Sequence, residues 1–345
     1  MSVPGIRGPE MTMKDDIITL DYGSGGKKTS NLIEKTLLPL YGNEMLNELG
    51  DGAVLDGSVK LVFSTDSFVV SPLFFPGGDI GKLSVCGTVN DVSVSGGEIK
   101  YLSCALIIEE GFPSSDLEKI AQSIADTCRK VGVKVVTGDT KVVERGRGDG
   151  IYINTAGIGF LRYPNLSPNN IRPGDSVIVS GTIGDHGTAV MLSRNDMLSG
   201  TVQSDCCPLD RLCAAILEAC PDTRVLRDPT RGGVATTLNE FTEGSDVGIE
   251  LEERLLPIRE DVQAACDMLG LDPMYCANEG KLLAVVPEES AKCVIEAMKS
   301  LPEGRNSAII GRVTDSFPGK VVMETAFGGK RILQKLSGAQ LPRIC

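Results

Sequence analysis

The sequence has no tryptophan, a single histidine (His186), and aromatic residues at only 4% of its 345 positions. Large rings therefore do not build its interior. With 40 glycines, most of them in turn-like clusters, the composition suits a loop-rich α/β protein. No apolar run approaches the roughly 20 residues that a membrane-spanning helix needs, which excludes a membrane partner of that kind. Its first residues, MSVPGIRGPEMTMKDD, lack a basic start followed by an apolar core, so no secretory leader is read and the cytoplasm is the expected compartment. Positive charge is scarce: 34 Lys and Arg against 46 Asp and Glu leave a net charge of −12, which repels a polyphosphate backbone and makes nucleic acid an unsuitable partner. The 11 cysteines form no CxxC pair, and one histidine cannot complete an ordinary zinc site, so neither a structural metal nor a disulfide framework is expected. Cys86, Cys104, Cys128, Cys266 and Cys293 lie inside apolar periodic segments and read as small buried hydrophobes.

What is present has a clear order. Residues 31–49 place apolar positions at helical spacing, 59–70 read as a strand broken by Asp66, and 78–96 as a helix of small residues. Residues 98–110 read as a strand, and 114–132 as a helix capped by Ser114 or Ser115 and ended by Gly132. Two more strands follow in VKVVTGDTKVV and GIYINTAGIGFL. Then RYPNLSPNNIRPGD, dense in Pro and Asn, reads as a connection, after which strands and helices restart and run to SAIIGRVTD. The expectation is an α/β (α+β) protein of two domains with mixed sheets. It comprises an N-terminal segment with a Gly-rich loop (1–42), a first domain (43–162), a second domain (173–335) and a mobile tail (336–345).

Several stretches carry chemistry. DYGSGGKKTS, at 21–30, is not a Walker A loop, because Asp21 stands where its first glycine would be. Gly23, Ser24, Gly25 and Gly26 would still let backbone N–H groups approach an anion, and Lys27 and Lys28 add charge; taken alone, the loop reads first as a flexible surface turn. Asp51, Asp66, Asp91 and Asp139 stand in apolar contexts at element ends. Each by itself is an ordinary cap or turn residue. Converging, they would repel one another unless a cation such as Mg²⁺ relieved the charge, and that ion takes carboxylates together with nucleotide phosphates. RDPTRGGV offers Thr230 as a helix N-cap, with Arg231, Gly232 and Gly233 at a helix start that suits either a phosphate or a close packing contact. CANEGKLL sets Glu279 in a turn before a strand, and the sequence closes on Cys345.

Taken together, the order GSGG, GDGA, STDSFVV, VNDVSVSGGEIKYLS, GDTKVV, RDPTRGG, NEGKLL and PRIC resembles the HypE family of hydrogenase-maturation proteins, from about residue 18 to the last residue. The internal motifs are shared more loosely with aminoimidazole ribonucleotide synthetase, selenophosphate synthetase and thiamine-phosphate kinase; PRIC is the specific element. The resemblance implies an ATP-dependent dehydration of a carbamoyl group on Cys345 to thiocyanate, the source of the cyanide on [NiFe]-hydrogenase iron. It implies HypF as the carbamoyl donor, a HypC–HypD complex as cyanide acceptor, and a homodimer formed by the first domain. It further implies ATP held by Gly23–Lys28, Asn90, Gly138, Asp139, Thr140 and Arg231–Gly233, and Mg²⁺ on the four aspartates Asp51, Asp66, Asp91 and Asp139. Lys141 would hold a phosphate or steer the thiocarboxamide, and Glu279 would be the base. Nine extended residues span about 30 Å, so the tail would present its thiol outward and then return it to the nucleotide cleft. Two other readings stay open from sequence alone: a small-molecule kinase or synthetase of the same superfamily, and a non-enzymatic thiol carrier.

Overall fold

The computed structural model describes residues 17–19, 31–44, 46–48, 60–194, 200–335, 344 and 345. The Gly-rich loop with Gly23–Lys28, and Asp51, lie outside these residues.

Two sheets organise the chain. The first has four strands in the order β1–β6–β4–β5: β1 (Leu61–Phe68), β4 (Gly97–Glu109), β5 (Lys134–Val143) and β6 (Ile151–Leu161). A small ribbon, β2 (Phe74–Phe75) and β3 (Gly78–Asp79), leads from β1 into helix α1 (Ile80–Val94). The Asp79 side chain caps α1 by accepting from Gly81 N and Lys82 N at 2.8 and 3.1 Å. Small residues let α1 pack closely on every side, so it is buried almost all round, against the first sheet, against α2 (Ser114–Val131) and against the second half of the chain. By contrast α2 is amphipathic. Its N-cap is Pro113 rather than a serine, and it ends on Gly132 in the left-handed conformation.

Strand alternation gives the first sheet two faces. The row Asp66–Thr155–Cys104–Gly138 lies on the helix-covered face; the next row, Ser67–Asn154–Ala105–Asp139, lies on the other. That second face exposes Leu61, Phe63 and Ile107.

Residues 162–175 lead to a seven-stranded mixed sheet, β13–β12–β9–β11–β7–β10–β8. Its strands are β7 (Ser176–Val179), β8 (Val225–Arg227), β9 (Gly248–Glu252), β10 (Leu283–Val286), β11 (Ala308–Thr314), β12 (Val321–Glu324) and β13 (Lys330–Leu333). Within this sheet only β9 and β12 pair in parallel, among the described residues. The helices are α3 (Asp185–Ser193), α4 (Asp210–Ala219), α5 (Gly233–Thr242), α6 (Glu260–Leu269) and α7 (Ala291–Lys299). The runs VIV and LAVV are apolar throughout because both faces of β7 and β10 are covered. Val177, Val179, Leu283 and Val285 share a core with Leu238 and Phe241 of α5, while Ile178, Ala284 and Val286 pack with Ile216 of α4 and Met298 of α7.

Some expectations are corrected. The helical pattern over 31–49 gives helical turns at Ile33–Leu37 and Leu38–Tyr41, then a separate turn at Leu46–Glu48, because Gly42 leaves the helical conformation. Cys293 is exposed, whereas Cys86, Cys104, Cys128 and Cys266 are buried. The N-cap of α5 is Gly232, not Thr230. The β12–β13 hairpin went unread because its strands are four residues each and β13 carries Lys330 and Arg331.

Candidate active site between the two sheets

The two halves meet where α1 lies against the turn that carries Glu279. Asn90, on α1 and almost fully buried, accepts from Leu209 N at 2.8 Å and donates to the carbonyls of Cys207 and Glu279 at 3.2 and 3.4 Å. Its amide thus ties the halves together and fixes the backbone of Glu279. Asn278 does similar work one residue earlier: it accepts from Gly184 N at 2.7 Å and donates to Pro229 and Cys276 carbonyls at 3.1 and 3.2 Å. Gly280 is required by space, since a Cβ there would come within 1.8 Å of the Asp205 carbonyl oxygen. The same strand of chain returns a contact, with Asp205 Oδ1 accepting from Glu279 N at 3.0 Å. The Asn-Glu-Gly triplet is therefore a rigid turn that aims one carboxyl inward.

That carboxyl is 2% exposed. Burial, reinforced by nearby Asp228, Asp205 and Asp66, pushes its pKa well above the usual carboxylate range. Oε1 of Glu279 has no hydrogen-bond partner among the described residues. The Cys345 thiol lies against this carboxyl, and its own pKa is pushed up by burial first and by Glu279 next. Ile344 is buried in the core beside Cys206 and Ala277, so the last two residues are seated inside the protein.

A carboxylate group lies close by. Ser64 Oγ donates to Asp91 Oδ2 at 2.7 Å, and Arg231 Nη2 is 3.6 Å from Asp66 Oδ1. Burial raises the Asp91 pKa, with Asp66 adding to the effect. Asp228 is pushed up to about 7 by burial and then by Asp91. Beside it, Gly233 must lack a side chain: a Cβ would meet the carbonyl oxygens of Cys276 and Met274 at 2.6 Å, and its φ is +60°. Gly233 thus seats the start of α5 tightly against the Cys276 turn, and Arg231 stands exposed over Asp66.

Of the residues singled out from sequence, the structure brings together Asp66, Asn90, Asp91, Arg231, Gly232, Gly233, Glu279 and Cys345. Thr140 and Gly138 lie on the helix-covered face of β5. Asp139 and Lys141 do not join the group: they point to the opposite face, where Lys141 Nζ is 3.3 Å from Asp139 Oδ1. Among the described residues no three His, Cys, Asp or Glu side chains converge tightly enough to chelate one ion. Sequence reading missed Asp228, Asn278 and His186. Asp228 sits inside RDPTRGG, but its role, like those of Asn278 and His186, depends on contacts far along the chain that no local pattern signals.

Residues 49–161 match the family described as AIR synthase related protein, N-terminal domain, and residues 172–324 match its C-terminal domain. The carbamoyl dehydratase HypE of Azotobacter vinelandii is 48% identical over 338 residues, covering 97% of this chain and 99% of that one. The chain belongs to the HypE family. The crystal structure of the hydrogenase maturation protein HypE in complex with ATP superposes with a TM-score of 0.91 at 47% identity, covering 95% of this chain and 99% of that one. A HypE–HypF complex gives a TM-score of 0.77 at 47% identity, over 88% of this chain and 99% of that one. The match to HypE thus spans both sheets and the junction between them.

Proposed function

We propose that this chain dehydrates a carbamoyl group carried on its own Cys345 to an S-cyanate, using ATP, and so supplies the cyanide ligand of a [NiFe]-hydrogenase. The observation that carries this reading is the seated Cys345 thiol beside a buried Glu279 carboxyl with a free oxygen. The ATP complex of one HypE and the HypF complex of another support ATP as phosphoryl donor and HypF as the source of the carbamoyl group. A HypC–HypD complex then takes the cyanide. No helix among the described residues is long and apolar enough to cross a membrane, and cytoplasmic function fits the reaction.

An amide oxygen leaves poorly. The γ-phosphoryl group of ATP converts it into a good leaving group, the N–H protons depart, and the products are –S–C≡N, ADP and phosphate. Glu279 receives an N–H proton at its free Oε1; its raised pKa makes it a stronger base than a surface carboxylate. Asn90 and Asp205 hold the Glu279 main chain, and Asn278 anchors the residue before it, so the turn fixes where that carboxyl starts. Seating the arm excludes water from the reacting group and replaces a bimolecular encounter with an intramolecular one. The carboxylates Asp66 and Asp91, crowded together with Asp228 and met by the largely exposed Arg231, fit Mg²⁺, which takes one or two carboxylates and completes its shell with phosphates and water. Bound there, Mg²⁺ would supply charge neutralisation on the phosphates. Arg231 and the start of α5 meet the phosphates from the other side. In the full assignment Asp51, with Gly23–Lys28, completes the nucleotide and metal site.

The exposed face of the first sheet suits a second copy of this chain. It shows Phe63, 66% exposed, with Leu61 and Ile107, and a dimer there would bury them and bring Asp139 and Lys141 against the partner. Phe63→Glu is expected to give a monomer by sedimentation. If that dimer carries Lys141 to the partner's cleft, where it would hold a phosphate or steer the thiocarboxamide, Lys141→Ala should slow dehydration while nucleotide binding, followed by calorimetry, stays measurable; a wild-type rate would remove that role.

The decisive experiment is an intact-mass series with HypF, carbamoyl phosphate and ATP. The mass should rise by one carbamoyl group and then fall by one water only when ATP is added. A small-molecule kinase would show neither change, and a thiol carrier only the first.

A further inference from the structure

We propose that His186 is a positioning residue that latches the C-terminal arm in its seated state, by donating from Nε2 to the main-chain carbonyl of Ile344. This rests on the dehydratase reading above and goes beyond it, by naming what holds the substrate-bearing thiol against Glu279.

His186 is the only histidine of the chain and is fully buried in the first turn of α3. Its Nε2 lies 2.9 Å from the Ile344 carbonyl oxygen, and its Nδ1 lies 2.8 Å from Ser204 Oγ. The proton positions follow from the partners. A carbonyl oxygen can only accept, so Nε2 carries the hydrogen. With the one hydrogen of a neutral ring on Nε2, Nδ1 can only accept, so Ser204 Oγ donates to it while itself accepting from Cys206 N at 3.1 Å. The ring is thus a neutral link in a chain running from the Cys206 amide through Ser204 to the arm. Burial holds the imidazole pKa below its ordinary value, in keeping with a neutral ring. Phe75 packs edge-on against it, with centroids 5.4 Å apart and planes at 85°, so the ring cannot swing away.

The arm has two points of attachment at this end. The Ile344 side chain is 3% exposed in the core, and its carbonyl takes the His186 hydrogen bond. Both attachments precede the reactive residue by one position, so they set where the Cys345 sulfur lies without touching it. Among the described residues, one buried apolar side chain and one main-chain hydrogen bond just before Cys345 make a reversible seat. That suits an arm whose sulfur must leave to be loaded and return to react. The latch therefore sets the balance between loading and dehydration, and weakening it should move the two in opposite directions.

His186→Phe keeps the ring and its contact with Phe75 but removes the donor. Alkylation of Cys345 in the full-length, nucleotide-free protein, followed on the C-terminal Lys-C peptide, should then rise about fivefold, the size of one buried hydrogen bond. Carbamoylation by HypF should be at least as fast as in the wild type, and ATP-dependent loss of water should slow about fivefold. His186→Gln, whose amide can donate in place of Nε2, should restore both rates. Ile344→Ala changes only the arm, and should reproduce the opposite-signed pair without disturbing the fold. Unchanged alkylation and dehydration in His186→Phe and Ile344→Ala would overturn the latch, as would a fall in both rates together. If the wild-type chain accepts a carbamoyl group but never loses water, the dehydratase reading fails instead, and the alkylation rates still decide the latch.

Discussion

Cys345→Ser yields no S-cyanate: with HypF, carbamoyl phosphate and ATP, the intact mass of the variant neither gains a carbamoyl group nor loses a water. The reason lies in the nucleophile. A thiolate attacks an activated carbamoyl group readily, whereas a serine hydroxyl without a general base does not. The seated position gives no such help, because burial and Glu279 push the Cys345 thiol up and keep it protonated there. Loading is therefore expected with the arm outside, where the thiol is free of that burial and meets HypF. Folding should be unaffected, since Cys345 lies at the edge of the core and a serine is smaller. A melting temperature equal to wild type, with ATP binding retained, would accompany the loss. Formation of a nitrile by the serine variant would refute the assignment of the acceptor.

Glu279→Gln is the second large effect. The amide keeps the shape of the side chain but cannot take a proton, so dehydration should fall by about 10²- to 10⁴-fold, the usual contribution of a general base. Carbamoylation by HypF should remain near wild type, because it does not use this carboxyl. The pH profile sharpens the test. A carboxyl whose folded pKa is raised is neutral below that pKa and becomes a base only above it. The wild-type rate should therefore climb as pH rises through the raised Glu279 pKa, and the Gln variant should lose that limb. A wild-type rate in Glu279→Gln, or an unchanged pH profile, would assign the proton to another group. The same burial that strengthens the base also disfavours its ionised form, so the folded state loses stability as pH rises through that range. Gln at this position should remove that loss.

The strands and helices flanking the site were legible because their patterns are local. Helix α2 alternates faces at helical period, and Gly132 ends it as read. The smallness of α1 pointed to close packing, and the structure gives the cause: a helix enclosed by two sheets has no polar face to show. The site was legible only in part. Glu279 read by itself as an ordinary turn carboxylate, and only the resemblance marked it as a base; its inward aim depends on Asp205 and Asn90, far away in sequence. The four aspartates looked alike in one dimension. In three, Asp66 lies on the sheet face that α1 covers and Asp91 stands on α1 itself, while Asp139 falls on the other side of the sheet by a single step of strand register. Asp228 enters the cluster from the second half of the chain, which no spacing rule could reveal.

The enclosure of α1 has a further consequence. Val94 packs into the apolar cluster of the second half, and Asn90 bonds to its backbone, so one helix belongs to both hydrophobic interiors at once. Cutting the chain within 162–175 would leave each fragment with a raw greasy wound where its neighbour had been. The molecule should accordingly melt in one cooperative step rather than lobe by lobe, and the cleft that hosts the arm exists only while both halves are intact.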